Sequence, residues 1–281
     1  MYIKKILIAV VLIGVAVGGF FTYKIYTSIF SPNTVFENNE AFIYIPTAST
    51  FEDVNEQLAP LLKNVETFKS VAFKKGYPQN IKAGKYAIKK GMSNNDIVNT
   101  LRSRNLPVKV SFNNQESIEK LAGRISIQIE ADSLSLVKAI TDEAFYKEKG
   151  FSPESALSMF IPNSYEFFWN TSAEQFRERM LKEYTIFWNE NRLSKANELG
   201  LTPTQVVTLA SIVQKETAKV DERPRVAGVY LNRLTINMPL QADPTVIYAV
   251  KKHTGNFDTI IKRVLYRDLE LDSPYNTYRY A

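Results

Sequence analysis

Residues 201–250 read LTPTQVVTLA SIVQKETAKV DERPRVAGVY LNRLTINMPL QADPTVIYAV. Thr202-Pro203-Thr204-Gln205 has the form of a capping box with proline at the first helical position. The helix that follows carries Val206, Val207, Leu209, Ala210, Ile212 and Val213 on most of its circumference, which predicts a buried helix. It closes at Gln214-Lys215-Glu216-Thr217. A carboxylate there meets the negative end of the helix dipole, which disfavours its ionised form, as burial would. Glu216 therefore suits a general acid. Lys215 would oppose this if it paired with Glu216, although adjacent helical residues point to different faces. Asp221-Glu222-Arg223-Pro224 starts a second helix, with Val226, Val229, Tyr230 and Leu234 as its buried face and Asn232 and Arg233 elsewhere. Met238–Gln241 is extended, and Asp243-Pro244 caps a third helix running to about Val250. Glu216, Asn232/Arg233 and Gln241/Asp243 thus lie at element ends that can converge on a cleft. Asp243 also reads as a plain N-cap and Arg223 as a surface ion pair.

Outward from this stretch, composition narrows the choices. The chain has 281 residues, no cysteine and one histidine, His253. Disulfide scaffolds, thiol nucleophiles and Cys-ligated metals are excluded, and a multi-histidine metal site or a Ser-His-Asp triad is disfavoured. With 45% hydrophobic and 23% charged residues the composition is globular. The net charge of +6 is mild and compatible with nucleic acid, anionic lipid or a polyanionic polymer.

The N-terminus selects among these. Lys4 and Lys5 precede an apolar run from Ile6 to Tyr23, closed by Lys24, with Phe20, Phe21, Tyr23 and Tyr26 at its end. Length, interfacial aromatics and the lack of an A-x-A-like site favour an uncleaved transmembrane anchor over a cleaved signal peptide or a buried core helix. The lysines predict a cytoplasmic N-terminus and place the rest of the chain outside the cytoplasm. Nucleic acid is then not an expected partner.

The fold class read from the remainder is α+β. Residues 1–30 form the anchor and 31–40 a polar linker. Residues 41–106 form a small α/β module, and 107–281 a mainly helical α+β domain. In the module, Ala41–Ile45 and Gly84–Ile88 read as strands, and Phe51–Leu62 and Val65–Lys75 as helices. Ser93 with Asp96 reads as a capping box ahead of Ile97, Val98 and Leu101. Pro107–Phe112 alternates as a strand. Helices are expected over Gln115–Gly123, Ser133–Asp142, Pro153–Met159 and Ala173–Asn189. In the last of these, Phe176, Met180, Tyr184 and Phe187 form a core-facing stripe.

The runs Ala210–Thr217, Glu222-Arg223-Pro224, Val226–Leu234 and Met238–Tyr248 resemble the endolytic murein transglycosylase family (MltG, or YceG-like). Phe160–Phe167 is similar to the family's Pro-Asp-Thr-Tyr segment, with Asn163 and Ser164 substituted. Ala83-Gly84-Lys85-Tyr86, Gly91-Met92-Ser93 and the terminal Ser273–Tyr278 also match. The resemblance covers nearly the whole chain. It implies that the module is LysM-like and that residues 107–281 are the catalytic domain. Family members continue beyond the Tyr-x-Tyr motif, so the resemblance implies a C-terminally shortened domain here.

The resemblance further implies that Glu216, in the Lys-Glu-Thr triplet, is the catalytic residue. Many members carry a glutamate two positions earlier, where this chain has Gln214. The implied reaction is cleavage of the bond between N-acetylmuramic acid and N-acetylglucosamine, giving 1,6-anhydro ends. Gln241, Asp243, Asn232, Tyr248 and Arg223 are the implied substrate contacts. No cofactor and no metal are implied. Implied partners are peptidoglycan strands, the cytoplasmic (inner) membrane and peptidoglycan synthases. A non-catalytic, membrane-tethered glycan-binding or scaffold protein is the alternative from another class. A hydrolase pairing Glu216 with Asp243 or Glu166 is a third reading, distinguished by reducing ends.

Overall fold

A computed structural model describes residues 2–280. The fold is mixed α+β and mostly helical, and it comprises two compact units. The first contains the chain up to Ser111, together with Arg124–Asp132 and Ser164–Ser172. The second contains Phe112–Gly123, Ser133–Asn163 and the chain from Ala173 onward.

The first unit begins with α1 (Tyr2–Phe30), an apolar helix long enough to cross a membrane, with none of its most apolar window buried in the protein. Such a long, exposed apolar helix fits a membrane anchor. Next come β1 (Glu40–Ile45), α2 (Phe51–Leu58), α3 (Val65–Lys74), β2 (Gly84–Lys89) and α4 (Asn94–Ser103). Strands β1 and β2 are antiparallel, with Ile43 opposite Tyr86. Period-two alternation sends Ile43 and Ile45 inward and leaves Phe42 and Tyr44 exposed. Val54, Leu58, Phe68, Ile88, Ile97 and Leu101 fill the core between sheet and helices. Each such buried side chain contributes about 1.5–3 kcal/mol relative to exposure. The expected Ser93–Asp96 capping box is present, and a second one, Thr50–Asp53, opens α2.

Residues read from sequence as a loose linker begin tied down. The Asn33 amide donates to the Asn64 carbonyl at 2.9 Å and to Asn94 Oδ1 at 2.7 Å, and accepts from the Asn64 amide at 2.9 Å. Asn94 in turn donates to the Ser28 carbonyl at the end of α1, at 2.8 Å. Polarity signalled a solvated tether, but here the polar groups satisfy one another inside the unit.

Strand β3 (Pro107–Phe112) appears where alternation placed it. It pairs with β4 (Asn163–Phe168), which the sequence reading did not identify as a strand.

The second unit holds α6 (Ser133–Ile140), α7 (Glu143–Lys149), α8 (Ala173–Phe187), α9 (Glu190–Glu198), α10 (Pro203–Glu216), α11 (Arg223–Thr235), α12 (Asp243–Thr254) and α13 (Tyr266–Leu269). Helix α5 (Ile118–Ser126) starts in this unit and ends in the other. Phe176 and Met180 of the aromatic stripe are fully buried, Phe176 stacking on Phe160. Beside them the buried Arg177 donates to the Ala139 carbonyl and to Asp142, and its guanidinium lies over the Phe145 ring. Helices α10, α11 and α12 enclose a smaller core of Ile212, Val213, Tyr230, Leu240 and Ala242.

Two sequence readings are corrected here. Helix α10 is not buried around its circumference: only Ile212 and Val213 are, because its outer face meets solvent. On α11 only Tyr230 is buried, while Val229 and Leu234 are exposed.

Candidate active site

The expected capping box starts α10: Thr202 Oγ1 accepts from the Gln205 amide and Gln205 answers at the Thr202 amide. Fourteen residues later the helix ends at Glu216, and its last residues do separate jobs. Lys215 turns to Glu116, in the segment ahead of α5, and forms an ion pair with it. Thr217 donates to Glu222 at 2.7 Å, a bond that holds the Glu222 carboxyl below its ordinary range. Glu216, between them, is exposed, so burial does not supply the environment the sequence reading expected. The Tyr230 phenol of α11 lies close enough to feel its charge. Burial, then the charge and hydrogen bonding of Glu216, push the Tyr230 phenol up to about 12, while Arg233 opposes the shift.

Arg233, one turn on, reaches back and donates to the Leu240 carbonyl, at the turn between α11 and α12. Gln241 follows with φ +48°, in the left-handed region that side chains other than glycine rarely adopt. This turn is pinned by Thr277. The Gln241 amide donates to the Thr277 carbonyl at 2.9 Å, and the Ala242 amide donates to Thr277 Oγ1 at 3.0 Å. Thr245 Oγ1 lies 2.8 Å from the same hydroxyl.

Asp243 is the first residue of α12, and Ala242 is the N-cap position, without a side-chain cap bond. The plain N-cap reading of Asp243 is therefore corrected. Its carboxylate is free of capping duty and accepts a 2.7 Å hydrogen bond from Tyr278. That bond, followed by burial and the charges of Asp243 and Glu216, pushes the Tyr278 phenol up to about 12. Glu216, Tyr230, Arg233, Asp243 and Tyr278 thus act on one another electrostatically: two carboxylates, two phenols and a guanidinium.

The other residues singled out from sequence lie variously. Gln241 is exposed beside Asp243, and Asn232 is exposed on α11. Arg223 is partly buried in the first turn of α11, and its Nε is enclosed without a hydrogen-bond partner. Tyr248 packs its ring at 4.9 Å from Tyr275 and 5.7 Å from Phe257, with Lys252 bonded to the Tyr275 hydroxyl. Glu166 lies on β4, in the other unit from Glu216. Among the described residues, no group of three His, Asp or Glu side chains is placed to hold a metal ion.

Thr277 and Tyr278 were not assigned a role from sequence, Tyr230 was read only as core, and Arg233 was placed at a cleft-facing element end without a named role. Tyr230 read as core because its period matched the buried face, and it is buried; only its hydroxyl reaches the site. The Ser273–Tyr278 run stood out as a motif, but its partners lie some 30 residues away in sequence. Nothing local announces that pairing.

A family model described as the YceG-like family matches residues 43–281. An endolytic murein transglycosylase of Bacillus subtilis strain 168 is 28% identical over 282 residues, covering 94% of this chain and 75% of that protein. The protein of that name in Streptococcus pneumoniae strain R6 is 26% identical over 296 residues, and the chain spans only 52% of its length. A crystal structure described as a yceG-like protein from Listeria monocytogenes superposes with a TM-score of 0.54 at 25% identity, covering 86% of this chain and 84% of that one. The match to the family model runs through both units and includes every residue of the Glu216–Tyr278 cluster, and so the chain belongs to the YceG-like family.

Proposed function

We propose that this chain is a membrane-anchored endolytic lytic transglycosylase with Glu216 as its general acid and base. The observation that carries the reading is the cluster itself. One exposed carboxylate ends α10 within the field of a buried phenol, and the Asp243–Tyr278 pair feels the same charge. The relatives named endolytic murein transglycosylase support the substrate class, peptidoglycan.

The reaction needs one carboxyl group. Protonated Glu216 donates its proton to the glycosidic oxygen as the bond from muramyl C1 to that oxygen breaks, freeing the 4-hydroxyl of N-acetylglucosamine. The resulting carboxylate takes the proton of the muramyl 6-hydroxyl, whose oxygen bonds to C1. One C–O bond breaks, one forms, and a proton passes through Glu216 without net consumption of water. Because the nucleophile belongs to the substrate, no second carboxylate is required to activate water, unlike the usual glycosidase pair. Holding the 6-hydroxyl over C1 supplies rate through proximity. An exposed Glu216 suits a long polymer that lies along an open surface.

Gln241, Asp243, Asn232 and Arg223 are proposed as contacts for sugar hydroxyls, the N-acetyl groups or the stem peptide, and Tyr248 as a more distant one. An amide or a phenol can hydrogen-bond these groups without ionising. Residues 41–106 are proposed as a LysM-like module, with the βααβ order of β1, α2, α3 and β2 in support. We place α1 across the cytoplasmic membrane with its lysine-bearing start inside, which sets the site on the side where peptidoglycan lies. Peptidoglycan synthases are the proposed protein neighbours.

The test is digestion of purified glycan strands by the parent chain and by Glu216→Gln, with end groups read by mass spectrometry. Anhydro-muramyl ends from the parent alone are expected. Reducing ends would replace this reading with a hydrolase, and equal cleavage by both proteins would remove Glu216 from the chemistry. Absence of cleavage by the parent would favour a tethered glycan-binding protein.

A further inference from the structure

We propose that Glu116 is a positioning residue for Glu216: it draws the adjacent Lys215 ammonium away from the acid and, through Lys251, ties the end of α10 to α12. This rests on the proposed role of Glu216. Glu116 itself makes no described contact with the Glu216 carboxylate.

The geometry is a carboxylate shared by two cations from two helices. Oε1 of Glu116 pairs with Lys215 of α10, and Oε2 accepts from Lys251 of α12 at 2.8 Å. Lys251 is largely shielded, with 14% of its side chain exposed, and Glu116 partly, at 34%, whereas Lys215 is exposed at 56%. Burial alone would raise the Glu116 carboxyl. The bonds and charges of the two lysines outweigh it and hold the group below its ordinary range, so Glu116 is ionised wherever the site operates. Nearby, Asn114 donates to Gln214 on the same turn of α10, so the segment before α5 grips that helix end at two successive residues.

The consequence lies one residue away. Lys215 and Glu216 are neighbours in the chain, and a lysine is a point charge on a flexible four-carbon stem. Without Glu116, Lys215 has Glu216 as a carboxylate within reach of its own backbone position. An ammonium paired there favours the carboxylate form and penalises proton donation to the leaving sugar oxygen. The same carboxylate that removes this pairing also links α10, which ends in Glu216, to α12, which starts with Asp243. The groups that otherwise bear on the site are Tyr230 and Arg233 from α11, Asp243 from α12, and Tyr278. From α5, Lys120 pairs with Asp258, and the charge of Glu119 acts on Tyr248, so neither replaces Glu116 at Lys215.

The experiment compares four full-length proteins in detergent: parent, Glu116→Gln, Glu116→Gln/Lys215→Met and Lys251→Met. Two readouts are taken. One is the pH profile of kcat/KM for glycan cleavage, and the other is the position of the Lys215 ammonium, by side-chain NMR or crystallography. In Glu116→Gln the alkaline limb is expected to move to lower pH by at least about half a unit, because one charge about 4 Å away in water is worth about three-quarters of a unit. The Lys215 ammonium is expected within about 4 Å of the Glu216 carboxylate, the reach of an ion pair. Removing Lys215 in the double variant restores the limb. Lys251→Met loses the tie between helices but leaves the limb in place. Purely structural support would lower the rate of every variant with no shift of the limb, and that result overturns the proposal. So does a Lys215 that stays away from Glu216 once Glu116 is neutralised. Should Glu116→Gln not fold, Lys215→Met decides: an unmoved limb is expected, because Lys215 is already withheld, and a shift of half a unit overturns the proposal. A parent that fails to cleave counts against the proposed function alone, since the Lys215 position is still measured.

Discussion

The Tyr278 hydroxyl donates a 2.7 Å hydrogen bond to Asp243 across 35 residues of sequence. With Thr277 gripping the turn at Gln241 and Ala242, this bond makes the Ser273–Tyr278 segment a wall of the site. Tyr278→Phe removes one bond from a partly exposed pair and leaves the Thr277 contacts intact. The expected stability loss is below about 1 kcal/mol. The expected fall in cleavage rate is tenfold or more, because Asp243 loses the partner that orients it. Urea denaturation beside a rate measurement checks this; an unchanged rate would show that the Asp243 geometry does not matter.

The two phenols give a signed pH dependence. Tyr230 and Tyr278 are both pushed up to about 12, against an unfolded value of about 10. Between those values the unfolded chain has lost protons that the folded protein keeps, so stability falls as pH rises from about 10 to about 12 and is unaffected by these groups below that window. Buried Tyr77 and Tyr146, also raised, act in the same direction. Phenolate absorbance during an alkaline titration reads the effect. Asp243→Asn is expected to lower the midpoint of one tyrosine; a titration identical to the parent would place Tyr278 away from Asp243.

The Asn33 network predicts that the junction after α1 is structural. Asn33→Ala strips the Asn64 amide and Asn94 Oδ1 of their partner in a buried setting. A loss of about 2–3 kcal/mol is expected, seen as a fall in Tm of about 5–10 °C for the full chain in detergent. The exposed Glu37, paired with Lys90 only at 3.8 Å, serves as control, and Glu37→Ala is expected to change stability by less than about 0.5 kcal/mol. Equal effects would mean that residues 31–40 are as loose as their polarity suggested.

What the sequence made legible was local chemistry. The capping boxes at Thr202 and Ser93 set helix starts because side chain and backbone amide lie three residues apart. A short apolar run bounded by Pro46 located β1, and alternation located β3. Burial was harder to read. The valines of α10 look the same in a string whether a neighbour covers them or not, and in the structure only Ile212 and Val213 are covered fully. Asp243-Pro244 marked a helix start correctly but not the cap, because Tyr278 claims the carboxylate. Glu216 was picked out by its position at a helix end. The phenol that feels its charge was hidden in a residue whose spacing said core, and Lys215 was resolved only by Glu116, 99 positions earlier.

Gln241 separates backbone strain from side-chain function. Its φ of +48° is one that glycine adopts freely, and its side chain is exposed with its amide held by Thr277. If the side chain serves only the turn, Gln241→Gly is the better residue there: relief of left-handed strain, about 1 kcal/mol, roughly offsets the added freedom of the unfolded chain. Stability is therefore expected to stay within about 0.5 kcal/mol of the parent. Gln241→Val, β-branched in the same conformation, is expected to lose about 1–2 kcal/mol. Glycan binding divides the variants differently, because neither keeps the amide proposed to contact sugar. KM should rise in both by a similar factor, about three- to tenfold for one lost hydrogen bond, with kcat nearly unchanged. A KM that rises for Val and stays at the parental value for Gly would assign Gln241 to the shape of the turn and leave sugar recognition to its neighbours.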